Sequence, residues 1–439
     1  VRIVVLTPYL PHARVGHGGG TAVRDLVTHL ARLHEVRVIS LLRPGESDRL
    51  SDVTALGATV TPLVFLDEQV AARERARLAA QRGAAWFRSL RSGYPLYVEK
   101  YGSPRLARDV VRAVAEYAPD AVQVEYLQLA LLLRELRRWR NRGGERAAGP
   151  IQSRPRLILN THEVGSVPRQ RRAGSERRYL RRRALLDEAR RWERLQRDAT
   201  GWADVTICVT DDDRKRLAAL GGSGLVTVPL GMDTERIVPR ATTAVAPRYL
   251  FLGSFGHRPN RVAAELLVRK LWPLVAAQLP AAELVLAGRG SRRFFESLGR
   301  GDRPPASHVR AVGYVDDLAP VFGDCVALVA PLTEGGGIKI KVLEAMARGV
   351  PVVTTPVGAE GIVSEPDHAA WIVAPDAAFA GAMLDVWRQP EEARRRAEQA
   401  RRLIEERYSW SAIARRLTEI YTSGPAAAGP RRPHEGANP

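Results

Sequence analysis

The first forty residues set the tightest limit on the fold. RIVVLTPYLP (2–11) is an apolar run without alternation, the pattern of a strand buried on both faces. HARVGHGGG follows as a loop. TAVRDLVTHLARL then repeats apolar residues at helical spacing, with Val23, Leu26, Leu30 and Leu33 on one side, and EVRVISLL is a second strand. Strand, glycine loop, helix and strand in that order predict an α/β unit around a parallel sheet.

The pattern continues. A short strand is expected at 58–64, helices at 70–92 and 104–117, a strand in DAVQVEYL and a helix from Leu129 to Arg140. Residues 141–155 are rich in glycine, proline and charge and predict a surface loop. RLILNTHE is a strand ending in polar residues, 169–199 an arginine-laden helical stretch, VTICVT a strand, and DDDRKRLAAL a helix capped by Asp211 or Asp212. Residues 1–233 thus form one Rossmann-like domain. Residues 234–247 hold prolines without periodicity and are a linker.

A second α/β series occupies 248–405: RYLFLGS, a helix near 262–277, AELVLAGRG, VRAVGYV, a short helix near 317–322, CVALVAP, a helix near 340–348, PVVTT, AWIVA and helices over 376–404. Residues 406–422 carry a final helix with Ile413, Leu417 and Tyr421 at helical spacing. Residues 423–439 lack apolar bulk and are expected to be disordered. The fold class is therefore α/β, two Rossmann-like domains facing each other across a cleft. A length of 439 residues suits two cores of about 200 residues.

Lys and Arg outnumber Asp and Glu by 67 to 48, a net charge of +19 that favours contact with anions without choosing among them. No zinc-finger spacing, recognition-helix signal or interleaving of aromatic and basic residues points to nucleic acid. Cys208 and Cys325 sit alone in apolar runs, so no metal site is expected and a reducing compartment suits them. No secretory signal and no apolar stretch of about 18 residues is seen, so a cytoplasmic location is expected.

Three places carry chemistry. The loop Gly16–Gly20 (GHGGG) lets backbone amides and a helix N-terminus approach an anion; a plain tight turn would use the same glycines. His162 follows a buried strand, where it can hydrogen-bond a polar ligand, move a proton or act structurally; Glu163 shares that ambiguity. The richest segment is PLTEGGGIKIKVLEAMARGVPVVTTPVGAEG. Its glycine amides, with Lys339 and Lys341, can neutralise a diphosphate, and Glu344 can accept ribose hydroxyls.

This segment resembles the signature of the family-4 retaining glycosyltransferases of GT-B architecture. EAMARGVPVVTTPVGAEG is similar to its second half, with Glu344 at the second of two glutamate positions. FLGSFGHRPN, VPLGMD, VRAVGYVDDLAPVFGDC and YSWSAIARRLTEIY resemble further family segments in the same order, with Leu230 where asparagine is usual. The resemblance spans roughly residues 1–422.

It implies a retaining transferase that moves a sugar from a nucleotide-diphosphate donor to an unnamed acceptor, with no cofactor and no metal. It implies that the first domain holds the acceptor and that 406–422 crosses back onto it. Glu344 would bind the ribose, and Arg258 with Lys339 or Lys341 the diphosphate. Gly18, Gly19 and Gly20 would lie against phosphates and sugar, as would Gly336, Gly337 and Ile338 of the glycine-rich loop. His162 would touch the sugar, and backbone from Gly313 to Val315 would meet the base. One departure stands out: the first glutamate position is Gly336, and the nearest acid is Glu334, so either Glu334 or Lys339 is left to hold the sugar hydroxyls. Two alternatives stay open, an inactive nucleotide-sugar-binding relative and a nucleotide-sugar epimerase. The acceptor class is a sugar, a lipid-linked sugar or a small molecule. The arginine run at 170–198 reads either as a basic face on an anionic membrane or as a solvated helix paired with Glu176, Asp187, Glu188 and Glu193.

Overall fold

The computed structural model describes residues 1–12, 18–43, 45–65, 75–143, 154–240, 246–299, 308–335, 338–362 and 368–423. Most of the loop at 141–155, part of the linker and the tail beyond Ser423 lie outside them.

Two all-parallel sheets organise the chain. The first joins β1 (Arg2–Thr7), β2 (Glu35–Leu42), β3 (Thr59–Val64), β4 (Ala121–Glu125), β5 (Arg156–Asn160), β6 (Val205–Cys208) and β7 (Leu225–Thr227), in the order β3-β2-β1-β4-β5-β6-β7. The second joins β8 (Arg248–Leu252), β9 (Glu283–Ala287), β10 (Val309–Gly313), β11 (Ala327–Ala330), β12 (Val352–Thr354) and β13 (Trp371–Ile372), in the order β10-β9-β8-β11-β12-β13. In both, the strand order reverses beside the first strand, between β1 and β4 and between β8 and β11. The connections diverge there and leave a crevice at the carboxyl ends, where ligands of such sheets bind.

The apolar runs behave as parallel strands require. Ile3, Val4, Val5 and Leu6 of β1 are fully buried. The following helix spans Gly18–Ala31 and packs Val23, Leu26, Val27 and Leu30 beneath the sheet. It starts within the glycines expected as loop, because first-turn amides need no intrahelical acceptor. Leu33, expected on its buried face, lies past its end and is 58% exposed.

Three other expectations shift. The helix Asp211–Ala219 is capped by Thr210, whose hydroxyl accepts from the Asp213 amide at 2.9 Å; Asp211 and Asp212 instead fill its first turn, where the helix dipole favours acids. The arginine stretch is two helices, Ser166–Ser175 and Tyr179–Thr200. The helix expected near 262–277 begins at Arg258 and passes through a π-helical turn at Leu267–Leu271, just before Pro273, which has no amide proton to offer.

The chain passes twice between the sheets, side by side. The Met232 amide donates to the Tyr408 carbonyl at 2.7 Å, and Met232 pairs with Ser409 in an isolated parallel bridge. The helix Trp410–Thr422 then returns to the first sheet, burying Trp410, Ile413, Leu417 and Tyr421 in the core around β1. Trp410 covers Gly231, where a Cβ would stand 2.3 Å from the indole, and stacks on His29 at 5.0 Å between centroids. Cys208 and Cys325 are free and buried. Among the described residues no helix is long and apolar enough to cross a membrane.

Candidate functional site

At the first crevice, β4 ends in Glu125 and β5 in Asn160, opposite each other in register. The residues just beyond both strands adopt left-handed backbone, Tyr126 at φ 72° and His162 at φ 58°. Neither is glycine, so each costs about 1–3 kcal/mol that the surroundings must hold, a pattern found at functional sites. Their rings stack with centroids 3.8 Å apart, and Tyr9, just past β1, meets Tyr126 edge-on at 5.6 Å.

His162 Nε2 lies 2.5 Å from Glu125 Oε2. Glu125 is fully buried and also accepts from Gln123 Nε2 at 2.6 Å and Asn160 Nδ2 at 3.1 Å. A cavity of about 20 Å³ lies behind His162, lined by Gln123, Asn160 and Trp410 among others.

The second crevice is built from glycines and cations. After β8, Gly253 leaves room for two side chains; a Cβ there would stand 2.8 Å from Asn260 Cγ and 3.0 Å from Lys341 Nζ. Gly288, at φ 122° after β9, leaves room for the Gly253 carbonyl, 2.1 Å from where its Cβ would be. β11 leads through Gly335 (φ 119°) and buried Ile338 into the helix Ile340–Ala347, which carries Lys341 and Glu344.

Lys341 Nζ donates to Asn260 Oδ1 at 2.6 Å and sits 4.8 Å from the centre of the Phe251 ring. That amide oxygen is its one hydrogen-bond acceptor among the described residues, and no carboxylate pairs with it there. Burial, reinforced by Lys339, pushes its pKa down to about 7. Burial also pushes Lys339 down to about 8, against the opposing pull of Glu360, Glu163 and Asp213. Glu344 is raised by burial although Arg348 pairs with it; both guanidinium contacts, at 3.0 and 2.8 Å, fall on Oε1 and leave Oε2 to accept from a ligand.

Arg258 opens the helix Arg258–Leu266 and forms two contacts with Glu334, Nε–Oε2 at 3.2 Å and Nη2–Oε1 at 3.0 Å. Glu334 is thus turned onto Arg258. Gly313 (φ 84°) ends β10, where its amide donates to Ser291 Oγ at 2.9 Å; half-buried Val315 follows at the same sheet edge. Gly336 and Gly337 lie outside the described residues. Gly18, Gly19 and Gly20 form the first turn of their helix, at the carboxyl end of β1. No cluster of His, Cys, Asp and Glu among the described residues is arranged to hold a metal ion.

The two crevices face each other. Arg171 Nη2 in the first half lies 2.9 Å from both carboxylate oxygens of Glu360 in the second, and its Nη1 donates to the Gly335 carbonyl. Arg216 adds a 2.9 Å contact to Glu360. Thr210 packs on Gly361, where a Cβ would stand 2.1 Å from its methyl group. His162 and Glu163 are therefore on the same side of the molecule as Lys339, whose pKa Glu163 raises. Sequence reasoning passed over Glu125, Asn260, Arg171 and Glu360. Glu125 did leave a sign: a carboxylate inside the apolar run AVQVE.

The description "Glycosyltransferase Family 4" fits residues 16–236, and "Glycosyl transferases group 1" fits 246–389. Phosphatidyl-myo-inositol mannosyltransferase of Mycobacterium tuberculosis is 30% identical over 227 residues, 49% of this chain and 58% of that protein. An MMP alpha-(1->4)-mannosyltransferase of Mycolicibacterium hassiacum is 30% identical over 224 residues, 46% of this chain and 49% of that one. The chain thus spans about half the length of these relatives. Among solved structures, sucrose-phosphate synthase from Thermosynechococcus elongatus superposes with TM-score 0.69 at 20% identity, covering 96% of this chain and 98% of that one. Anabaena HepE in complex with UDP-glucose gives TM-score 0.61 at 13% identity, covering 95% and 98%. These two likenesses concern the fold.

Proposed function

The chain belongs to glycosyltransferase family 4, and on that premise we propose that it is a retaining glycosyltransferase using a nucleoside-diphosphate sugar. The observation that carries this reading is Lys341: a half-buried ammonium with a neutral oxygen as its hydrogen-bond acceptor, beside a second half-buried lysine at the crevice of the second sheet. Burying charge without an anion is costly, and a diphosphate placed there would supply the missing charge.

In this reading Lys341, Lys339 and Arg258 take the diphosphate, and Glu334 orients Arg258. Glu344 accepts ribose hydroxyls through Oε2, and backbone from Gly313 to Val315 meets the base. The first turn at Gly18–Gly20 and the loop at Gly336–Ile338 line the phosphates and sugar, and His162 receives the sugar from the opposite crevice. The acceptor oxygen attacks the anomeric carbon on the face the diphosphate leaves. The carbon–oxygen bond to phosphate breaks with its electron pair on the phosphate oxygen, which takes the acceptor's proton. The protein's share is positive charge fixed where negative charge develops.

The mannosyltransferase relatives support a mannosyl donor as the first to try, and the phosphatidyl-myo-inositol in one of their names supports a lipid-linked acceptor. Exposed Trp86, Phe87, Leu90, Tyr179 and Leu180, among many arginines, support peripheral contact with an anionic membrane face from the cytoplasmic side. Charge reversal at Arg181, Arg182 and Arg183 is expected to weaken sedimentation with anionic vesicles; unchanged sedimentation removes that contact.

The test of the central reading is a thermal-shift screen of nucleotide-diphosphate sugars, then NMR of the product's anomeric configuration. At a hundred times Kd a ligand stabilises by about 2.7 kcal/mol. Absence of any shift across the panel, or an inverted product, overturns it.

A further inference from the structure

Glu125 is a wholly buried carboxylate with no lysine or arginine against it among the described residues. Its contacts are all with groups able to donate: Gln123 Nε2 at 2.6 Å, Asn160 Nδ2 at 3.1 Å and His162 Nε2. A carboxylate offers only acceptors, so His162 must carry its proton on Nε2 to make this contact. Nδ1 has no hydrogen-bond partner among the described residues and is the nitrogen left for a ligand.

The row of contacts extends further. Tyr421, in the last helix, donates to Gln123 Oε1 at 2.6 Å. This turns the Gln123 amide so that its nitrogen faces Glu125. Burial holds the Tyr421 phenol protonated well above its ordinary range, so it acts as a donor throughout. Tyr421, Gln123 and Glu125 are all buried, and the row runs from Tyr421, 298 residues beyond Gln123 in sequence, to the left-handed residue His162 at the crevice.

We propose that Glu125 is a positioning residue that fixes His162 in its Nε2–H tautomer, with Nδ1 presented to the donor sugar as an acceptor, and that Tyr421 and Gln123 hold Glu125 in place. The role at the sugar rests on the transferase reading above; the tautomer does not. His162 then receives a hydrogen bond from a sugar hydroxyl, and the returning C-terminal helix becomes part of the site without touching substrate.

Long-range ¹H–¹⁵N correlation spectra of the full chain, with the His162 signal assigned from a His162→Asn variant, read the tautomer directly. Nε2–H is expected in the wild type. In Glu125→Gln, which keeps shape and removes charge, the spectrum should move to mixed tautomers. The turnover kcat should fall about tenfold to a hundredfold while donor KM stays within about twofold. Tyr421→Phe should move both readouts the same way by a smaller amount, and it decides the matter if Glu125→Gln does not fold. An Nδ1–H wild type, or a folded variant with unchanged spectrum and kcat, overturns the proposal. If the wild type transfers no sugar, the transferase reading fails while the spectra still judge the tautomer.

Discussion

At the crevice of the first sheet the buried carboxylate of Glu125 already has three donors; at the crevice of the second the half-buried ammonium of Lys341 has one neutral oxygen. Both lie where the strand order reverses, on sheets of the same type. The first surrounds its carboxylate with donors, and its two left-handed residues are held by stacking and by the contact of His162 with Glu125. The second is glycine-lined, and its Lys341 has no carboxylate partner among the described residues. Under the proposed reading, one side orients a group and the other neutralises one, as a transferase needs on opposite faces of a single ligand.

The largest effect expected from breaking this contrast is Lys341→Ala. Transfer should fall by about 10²–10³, the usual cost of one fixed electrostatic donor. The melting temperature should hold or rise, because the change removes a half-buried charge without an ionic partner among the described residues. A large loss of stability would mean that Lys341 is structural. Arg258→Ala and Glu344→Ala should each largely abolish transfer in a protein that still folds. Wild-type rates in both, measured on the folded variants, would remove them from the site.

Arg171→Ala tests how the crevices are held together. Against the upward push of burial, Arg216 and Arg171 keep the Glu360 carboxyl below its ordinary range. Losing Arg171 should raise donor KM by a factor of about 5–30, as removal of one or two kcal/mol would, with kcat less affected. Steady-state kinetics at two ionic strengths reads this out.

The smallest effect is in pH. Lys341 and Lys339 bind their protons less tightly folded, at about 7 and about 8, than unfolded, near 10.5. Ligand-free protein should therefore gain stability from these lysines as pH rises from about 7 toward 10.5. A bound diphosphate should draw protons back onto them, seen as proton uptake by calorimetry near pH 8. No uptake would place the phosphates elsewhere.

Much of the architecture was legible because parallel strands buried on both faces need unbroken apolar runs, and RIVVLT, RLILN and ALVA are such runs. Lys339, Lys341 and Glu344 stand out in the sequence because they sit close together where a strand's loop runs into the first turns of its helix. The partner of His162 was not. Glu125 lies 37 residues earlier and meets it only because β4 and β5 pair in register. Glu334 sits two residues before the first glutamate position, and spacing alone does not reveal that Arg258, 76 residues earlier, pairs with it. Thr210 took the cap from its acidic neighbours because its hydroxyl is the group that reaches the third amide of the helix.

The doubled passage between the sheets, tied at Met232 to Tyr408 and Ser409, limits how the halves can travel. Two covalent connections pinned at a common point define an axle, so the lobes can pivot there but cannot slide apart. Severing the chain after Ser409 would leave a single tether and strip Tyr421 from the first lobe, freeing the angle between the halves and loosening His162 in one stroke.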